Sequence, residues 1–226
     1  MLFKACKATW YLREGQYGEV NADLENFRGD RGWSIAPLLG IPSPEGIVFD
    51  QQADGIGTKV KVSQMTSSYE GAAYDMAAMA GDDAVIKGFV PVLMTTVLDV
   101  NKFTDQNTPY AEQLATGAIG ASQRARLALY GGETAILGDI VGGYGSPDRN
   151  LHFSWSGTVH AIAHKERKID GKSVLPGMAI VGLRETGLRS NGITMARNSL
   201  REAHGRFWHR KSFETETGET TLGRAA

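Results

Sequence analysis

Asp54, Thr58 and Lys59 stand in one short run with Gly55 and Gly57, Ala53-Asp54-Gly55-Ile56-Gly57-Thr58-Lys59, a combination that can hold a phosphate and its metal. The glycines let the backbone turn tightly and aim successive N–H groups into one concavity, where an anion replaces water as their acceptor. Lys59 adds a mobile cation, Thr58 a hydroxyl, and Asp54 a hard oxygen ligand suited to Mg²⁺. The spacing is not that of a Walker loop. Taken alone, the run reads first as an ordinary turn between two strands, because Asp-Gly and Gly-Thr pairs are common hairpin residues.

Further groups capable of chemistry follow along the chain. Asp75 and Asp82 are seven residues apart, two turns of one helix, and so share a face, with Asp83 beside them. Acids at a helix C-terminus oppose the macrodipole and one another, which favours a cation partner, although a solvated acidic face is the common alternative. Gly131-Gly132-Glu133 is either a tight turn with a surface carboxylate or a place where backbone and Glu133 approach a polyphosphate. Arg189-Ser190-Asn191-Gly192 opens a helix whose free N–H groups can receive an anion or be capped by Ser or Asn. His152 and His160 lie too far apart on one strand to share a metal, and His164, His204 and His209 offer no ligand spacing either.

The elements that must position these groups are partly readable from period. Residues 1–45 are turn-rich and predict an irregular arm. Gly46-Ile47-Val48-Phe49 predicts a short strand with Asp54 just past its carboxyl end, and Val60-Lys61-Val62 predicts a return to extended structure. From Tyr69 to Ile86, Ala72, Ala73, Met76, Met79, Ala80 and Ala84 fall at helical spacing. Phe89 to Leu98 predicts a largely buried strand beginning at Pro91, and Thr108-Pro109 opens a helix from Tyr110 to about Leu129. His152 to Ala161 alternates at period two, which puts Phe153, Trp155 and Val159 inward and both histidines outward. Pro176-Gly177 marks a boundary before a strand from Met178 to Leu183 and a helix carrying Ile193, Ala196 and Leu200 that ends at Gly205. After Arg206 the chain is polar, with little further core expected.

Composition narrows the classes. The chain has 226 residues, 42% hydrophobic, which is enough for one substantial core and part of a second. A net charge of -1, from Lys+Arg 24 against Asp+Glu 25, gives no global field for nucleic acid or an anionic membrane. The single Cys6 excludes an intrachain disulfide and a Cys₄ zinc site. The start has no apolar signal core, and no run of about 18 apolar residues occurs. The expected setting is cytoplasmic, with neither membrane nor nucleic acid as partner.

The order of the groups is more specific than any one of them: Asp54-Gly55-Ile56-Gly57-Thr58-Lys59, then Asp75 to Asp83, then Gly131-Gly132-Glu133-Thr134-Ala135, then Gly187-Leu188-Arg189-Ser190-Asn191-Gly192. In this order the chain resembles the aminoimidazole ribonucleotide synthetase (phosphoribosylformylglycinamidine cyclo-ligase, PurM-like) superfamily over about residues 46–204. That superfamily also holds formylglycinamidine synthase, selenophosphate synthetase, HypE and thiamine-monophosphate kinase. The resemblance implies an α+β fold: a PurM-like N-terminal domain, residues 46–175, with a mixed sheet and flanking helices that pairs with a second copy. Residues 176–226 match only the start of a second α+β domain, which implies a partial homologue.

It further implies ATP and Mg²⁺ as cofactors, with K⁺ as an optional second cation, and a small-molecule substrate. Asp54, Gly55, Gly57, Thr58, Lys59, Gly132 and Asn191 would hold the nucleotide. Asp54, Asp75, Asp83 and Glu133 would hold metal, Lys59 and Asp83 would act in catalysis, and Arg189, Ser190 and Asn191 would meet the substrate. In the cyclo-ligase, ATP phosphorylates an amide oxygen, an internal nitrogen closes the ring, and ADP and phosphate leave. Departures from the family pattern, Asp82 for Asn and Arg189 for His, leave open another ATP-using member with a different acceptor, or a non-catalytic nucleotide-binding dimer module. Selenophosphate synthetase and HypE fit poorly, since each needs a reactive Cys that Cys6 does not supply.

Overall fold

The computed structural model describes residues 46–185, 187–215 and 218–225. The expected N-terminal arm, residues 1–45 with Cys6, lies outside the described residues.

The alternating stretch forms the centre of the sheet. β4 (Phe153–His164) pairs antiparallel with both β1 (Ile47–Gly55) and β2 (Val90–Val100), and β3 (Ala128–Ile136) adds parallel to β2, in the order β1-β4-β2-β3. Phe153, Trp155, Val159 and Ala161 all point into the core, as period two requires. His152 departs from its expected outward position. It precedes the strand, is buried, and its Nε2 lies 3.1 Å from Tyr144 O.

Two helices cover one face. α2 (Glu70–Val85) buries Ala72, Ala73, Met76, Ala80 and Ala84, and α3 (Thr108–Ala125), with Pro109 in its first turn, lies against it. Small residues set the closeness of this contact: a Cβ at Gly117 would collide with the Glu70 carbonyl. α3 ends at Ala125, short of the expected Leu129. Arg126 turns into the left-handed region at φ 51°, which frees Leu127 and Leu129 to enter the core and β3 to pair with β2.

Three further expectations are corrected. Val60-Lys61-Val62 is not extended but opens α1 (Val60–Thr66), whose buried Val60, Ser63 and Gln64 fall at i, i+3 and i+4. Gly57, at φ +61°, turns the chain from β1 through a 3₁₀ turn, Gly57–Lys59, into that helix, so the Asp54 run joins a strand to a helix. Gly131-Gly132-Glu133 is no turn; it lies within β3. Met178 to Leu183 forms no strand, because no free strand edge meets it, and Ile180 is 99% exposed.

Beyond that stretch, α4 (Ile193–His204) ends at Gly205 as expected. The polar tail is more ordered than its composition suggests. Trp208 and His209 are buried, β5 (Ser212–Thr215) and β6 (Gly218–Thr221) form a hairpin, and the short α5 (Leu222–Ala225) packs on α1.

No helix among the described residues is long and apolar enough to cross a membrane.

Candidate functional site

Asp54 does not lie past the strand end as expected but within β1, because the ladder with β4 runs on to Gly55; it stands opposite Gly157, which in turn lies opposite Thr96. Thr96 is buried, and a Cβ at Gly157 would meet Met76 of α2, so this row faces the helices. Asp54 Oδ1 accepts the Gly55 N–H at 2.6 Å. Three residues later the 3₁₀ turn delivers Lys59 to the start of α1, where its Nζ donates to Asp75 Oδ1 at 3.0 Å and also to the Leu188 carbonyl. Both side chains of the ion pair are largely withdrawn from water, at 14% and 20% exposure. Burial pushes the Asp75 carboxyl above its ordinary range, and the charge and hydrogen bond of Lys59 oppose the shift.

The segment after Glu185 closes over this pair. Thr58 and Thr194 share a hydroxyl hydrogen bond of 2.5 Å, and Arg197 Nη1 donates to Thr58 O at 3.3 Å. Arg189 reaches back to α2, donating through Nη1 to Asp82 Oδ2 and through Nε to Glu185 Oε1, both at 2.6 Å. The Arg189 guanidinium is held further above its usual range by Glu185 first and Asp82 second. Among the described residues Ser190 Oγ is buried without a hydrogen-bond partner. Gly192, at φ 77°, is the N-cap of α4 and no side chain caps the helix, so the Ser or Asn cap is not formed. Asn191 lies in the exposed turn just before it.

Between these elements lies a cleft of about 850 Å³, lined among others by Lys59, Asp75, Asp82, Arg189 and Ser190. The structure therefore brings together the expected residues Lys59, Asp75, Arg189 and Ser190, with Thr58 at hydrogen-bond reach of α4. Asp83 is partly buried on α2 and does not line the cleft. Asp82, whose place near the helix end favours a cation partner, is engaged by Arg189.

Gly132 and Glu133 are not brought to this cleft. Glu133 lies opposite Val97, whose side chain is 42% exposed on the face away from the helices, whereas Asp54 is in the row that faces them. The two carboxylates are thus on opposite faces and three strands apart in the order β1-β4-β2-β3. Among the described residues no group of three or more His, Cys, Asp or Glu can hold a metal. Asp75 is bonded to Lys59 and lines the cleft, whereas Asp54 is bonded to the Gly55 N–H and does not line it; carboxylate oxygens of both are the hard donors Mg²⁺ prefers.

Sequence reasoning missed several residues. Gln64 accepts the Tyr144 N–H at 2.6 Å and donates to Leu151 O at 3.3 Å, pinning the loop before β4 onto α1. Asn107, fully buried, ties Lys102 O and Pro147 O together. Glu185 and Arg224 both line the cleft. Neither has a local signal, because Glu185 and Arg189 lie in an irregular segment where i, i+4 spacing does not imply contact, and nothing near Arg224 marks it.

Residues 38–158 match the family described as AIR synthase related protein, N-terminal domain. The chain is 30% identical to a phosphoribosylformylglycinamidine cyclo-ligase of Thermococcus kodakarensis over 204 residues, 90% of this chain and 54% of that protein. It is 36% identical to the enzyme of the same name from Thermoplasma acidophilum over 155 residues, 69% of this chain and 42% of that protein. A crystal structure of tt0281 from Thermus thermophilus overlaps 55% of this chain and 35% of its own, with a TM-score of 0.42 and 18% identity. The chain spans about half the length of the curated relatives it matches. With a mixed sheet, two covering helices and a family match across most of that sheet, the chain belongs to the AIR synthase related protein family through its N-terminal domain.

Proposed function

We propose that the chain supplies the phosphate-binding side of an ATP- and Mg²⁺-dependent ligase of the phosphoribosylformylglycinamidine cyclo-ligase type, acting in purine biosynthesis. The observation that carries this reading is the meeting of Lys59 and Asp75 with the Leu188 to Ser190 segment over one cleft. Lys59 would leave Asp75 for the triphosphate, while Asp54 and Asp75 hold Mg²⁺ and Asp83 assists from about two turns further along α2. Gly55, Gly57 and Thr58 would contact phosphate, and Asn191 the nucleotide from the α4 start. Phosphoryl transfer depends mainly on positioning and on neutralising charge, which is what such a group offers. In the reaction, ATP phosphorylates the amide oxygen of formylglycinamidine ribonucleotide, and the substrate's own nitrogen then displaces phosphate. Arg189 and Ser190 would orient that acceptor. ATP and Mg²⁺ are the cofactors, and K⁺ is an optional addition.

Glu133 and Gly132 enter the reading through a second copy. The sheet face that carries Glu133 is uncovered by any described helix and exposes Phe49, Val97 and Tyr130. A homodimer formed on that face would bury these side chains and carry the carboxylate of one copy toward the cleft region of the other. The reading places the protein in the cytoplasm, in keeping with its single cysteine.

The test is ADP release from Mg-ATP in the presence of formylglycinamidine ribonucleotide. Turnover that disappears in Lys59→Ala is the expected result. Because Lys59 is already engaged by Asp75 and Leu188, a second reading is a nucleotide-binding module without turnover; a melting shift with Mg-ATP and no ADP release would select it. A family member with another acceptor would release ADP only when a different substrate is supplied.

A further inference from the structure

Two residues that depart from the family pattern, Asp82 and Arg189, are bonded to each other. Arg189 Nη1 donates to Asp82 Oδ2 at 2.6 Å, joining α2 to the segment from Gly187 to Ser190. An Asn in place of Asp82 would carry no charge to hold the guanidinium. Arg189 Nε donates to Glu185 Oε1, also at 2.6 Å, so the fork is closed on two carboxylates. With both bonds made, the side chain fixes the peptide unit it belongs to.

That peptide unit begins with the Leu188 carbonyl, which accepts from Lys59 Nζ. Lys59 also donates to Asp75 Oδ1 at 3.0 Å, so two of the three ammonium donors are committed. A neutral carbonyl thus occupies the lysine that an anion would need. Gly187 seats the same segment against α5, where a Cβ would stand 2.9 Å from Ala225 O. The clamp on Arg189 is not permanent. Arg189 and Asp82 are 57% and 53% exposed, and ion pairs this open to water are individually weak and screened by salt.

We infer that Asp82, Glu185 and Arg189 form an autoinhibitory latch that keeps the Leu188 carbonyl on Lys59, so that ligand engages the lysine only when the latch opens. Opening releases both cations together, Lys59 for phosphate and Arg189 for the acceptor. The inference rests on the nucleotide-cleft reading above and adds its regulation. When only the open fraction of molecules binds, apparent affinity is reduced by that fraction, so weakening the latch tightens binding. A direct role of Arg189 on the nucleotide has the opposite sign, because removing a cation from the cleft weakens its hold on an anion.

The test compares wild type, Asp82→Asn, Arg189→Gln and the double variant, each checked for a wild-type melting curve. Calorimetry with Mg-ATP, in the absence of acceptor, gives the affinity, and hydrogen exchange of residues 187–190 without nucleotide reports the latch itself. The expected result is faster exchange in all three variants and Mg-ATP affinity raised about two- to tenfold in each. The double variant should match Arg189→Gln, because Asp82 acts through Arg189. If Asp82→Asn instead tightens Mg-ATP equally with or without Arg189, removal of negative charge rather than an opened latch is the cause, and the inference is overturned. Weaker Mg-ATP binding by Arg189→Gln, or unchanged exchange in the folded single variants, overturns it as well and leaves the nucleotide reading intact. If exchange quickens but neither wild type nor any variant binds Mg-ATP, the nucleotide reading fails and the inhibitory role fails with it.

Discussion

Lys59 Nζ donates to Asp75 Oδ1 at 3.0 Å, joining the turn after β1 to the middle of α2. The contact locks the phosphate-type loop to the helix that carries the acidic face. It is poised rather than inert, because anything that draws Lys59 away leaves a withdrawn carboxylate needing another cation.

Removing the lysine should therefore cost stability as well as function. Lys59→Ala leaves Asp75 unpaired at 20% exposure and should destabilise the fold by about 1–3 kcal/mol in urea unfolding, less than for a fully buried pair. Lys59→Ala with Asp75→Asn should recover part of the loss. A double variant no more stable than Lys59→Ala would show that the pair does not couple.

The pH response has a definite sign. The folded-state carboxyl of Asp75 is pushed above its unfolded value, so its contribution to stability is fully present below the unfolded value near 3.8 and is lost as pH rises through the folded one. Asp75→Asn does not titrate there. The melting temperature of the wild type minus that of Asp75→Asn should fall as pH increases from the unfolded carboxyl range upward; a flat or rising difference contradicts the burial of Asp75.

Glycine positions separate packing from propensity. Gly117→Ala must push against the Glu70 carbonyl and should destabilise by roughly 1–3 kcal/mol, since the obstacle is backbone. Gly71→Ala meets nothing within 4 Å and should stabilise α2 by a few tenths to about 1 kcal/mol. Thermal melts of the two variants check both signs.

Trp208 reports on the tail. At 2% exposure, Trp208→Ala should cost about 3–5 kcal/mol and abolish the buried-tryptophan emission it contributes. A variant with wild-type stability would mean that the residues after Gly205 are not docked.

The proposed dimer is checked at Val97. Val97→Lys adds a charge on the open sheet face, away from the core, and should lower the sedimenting mass while leaving the monomer folded by circular dichroism. Unchanged mass argues against pairing through this face.

β2, β4 and α2 were legible from their hydrophobic spacing, α3 from the Thr108-Pro109 start though not its end, and the shared face of Asp75 and Asp82 follows from helical geometry. Other elements depend on surfaces that no local pattern encodes. Val60-Lys61-Val62 has the composition of a strand, yet its valines are buried at the start of a helix reached through Gly57. Gly131-Gly132 reads as a turn because glycine is rare within strands, but β2 supplies the ladder that keeps it extended. Met178 to Leu183 shows the converse, since β-type composition without an edge to pair forms no strand. In the site, the order of motifs identified the participants, but only the register revealed that Glu133 and Asp54 face opposite ways.

The stretch from Val174 to Leu183 has a practical consequence for handling the protein. Its apolar side chains are open to solvent, with Ile180 at 99% and Leu183 at 85% exposure, and it belongs to no helix or strand. Exposed backbone outside helices and strands is what proteases grip, so among the described residues a brief chymotrypsin digest should cut here first. The fragments should nonetheless elute together under native conditions and part only in denaturant, because Lys59, Thr58 and α1 on one side of the cut remain bonded and packed to Leu188, Thr194 and α5 on the other.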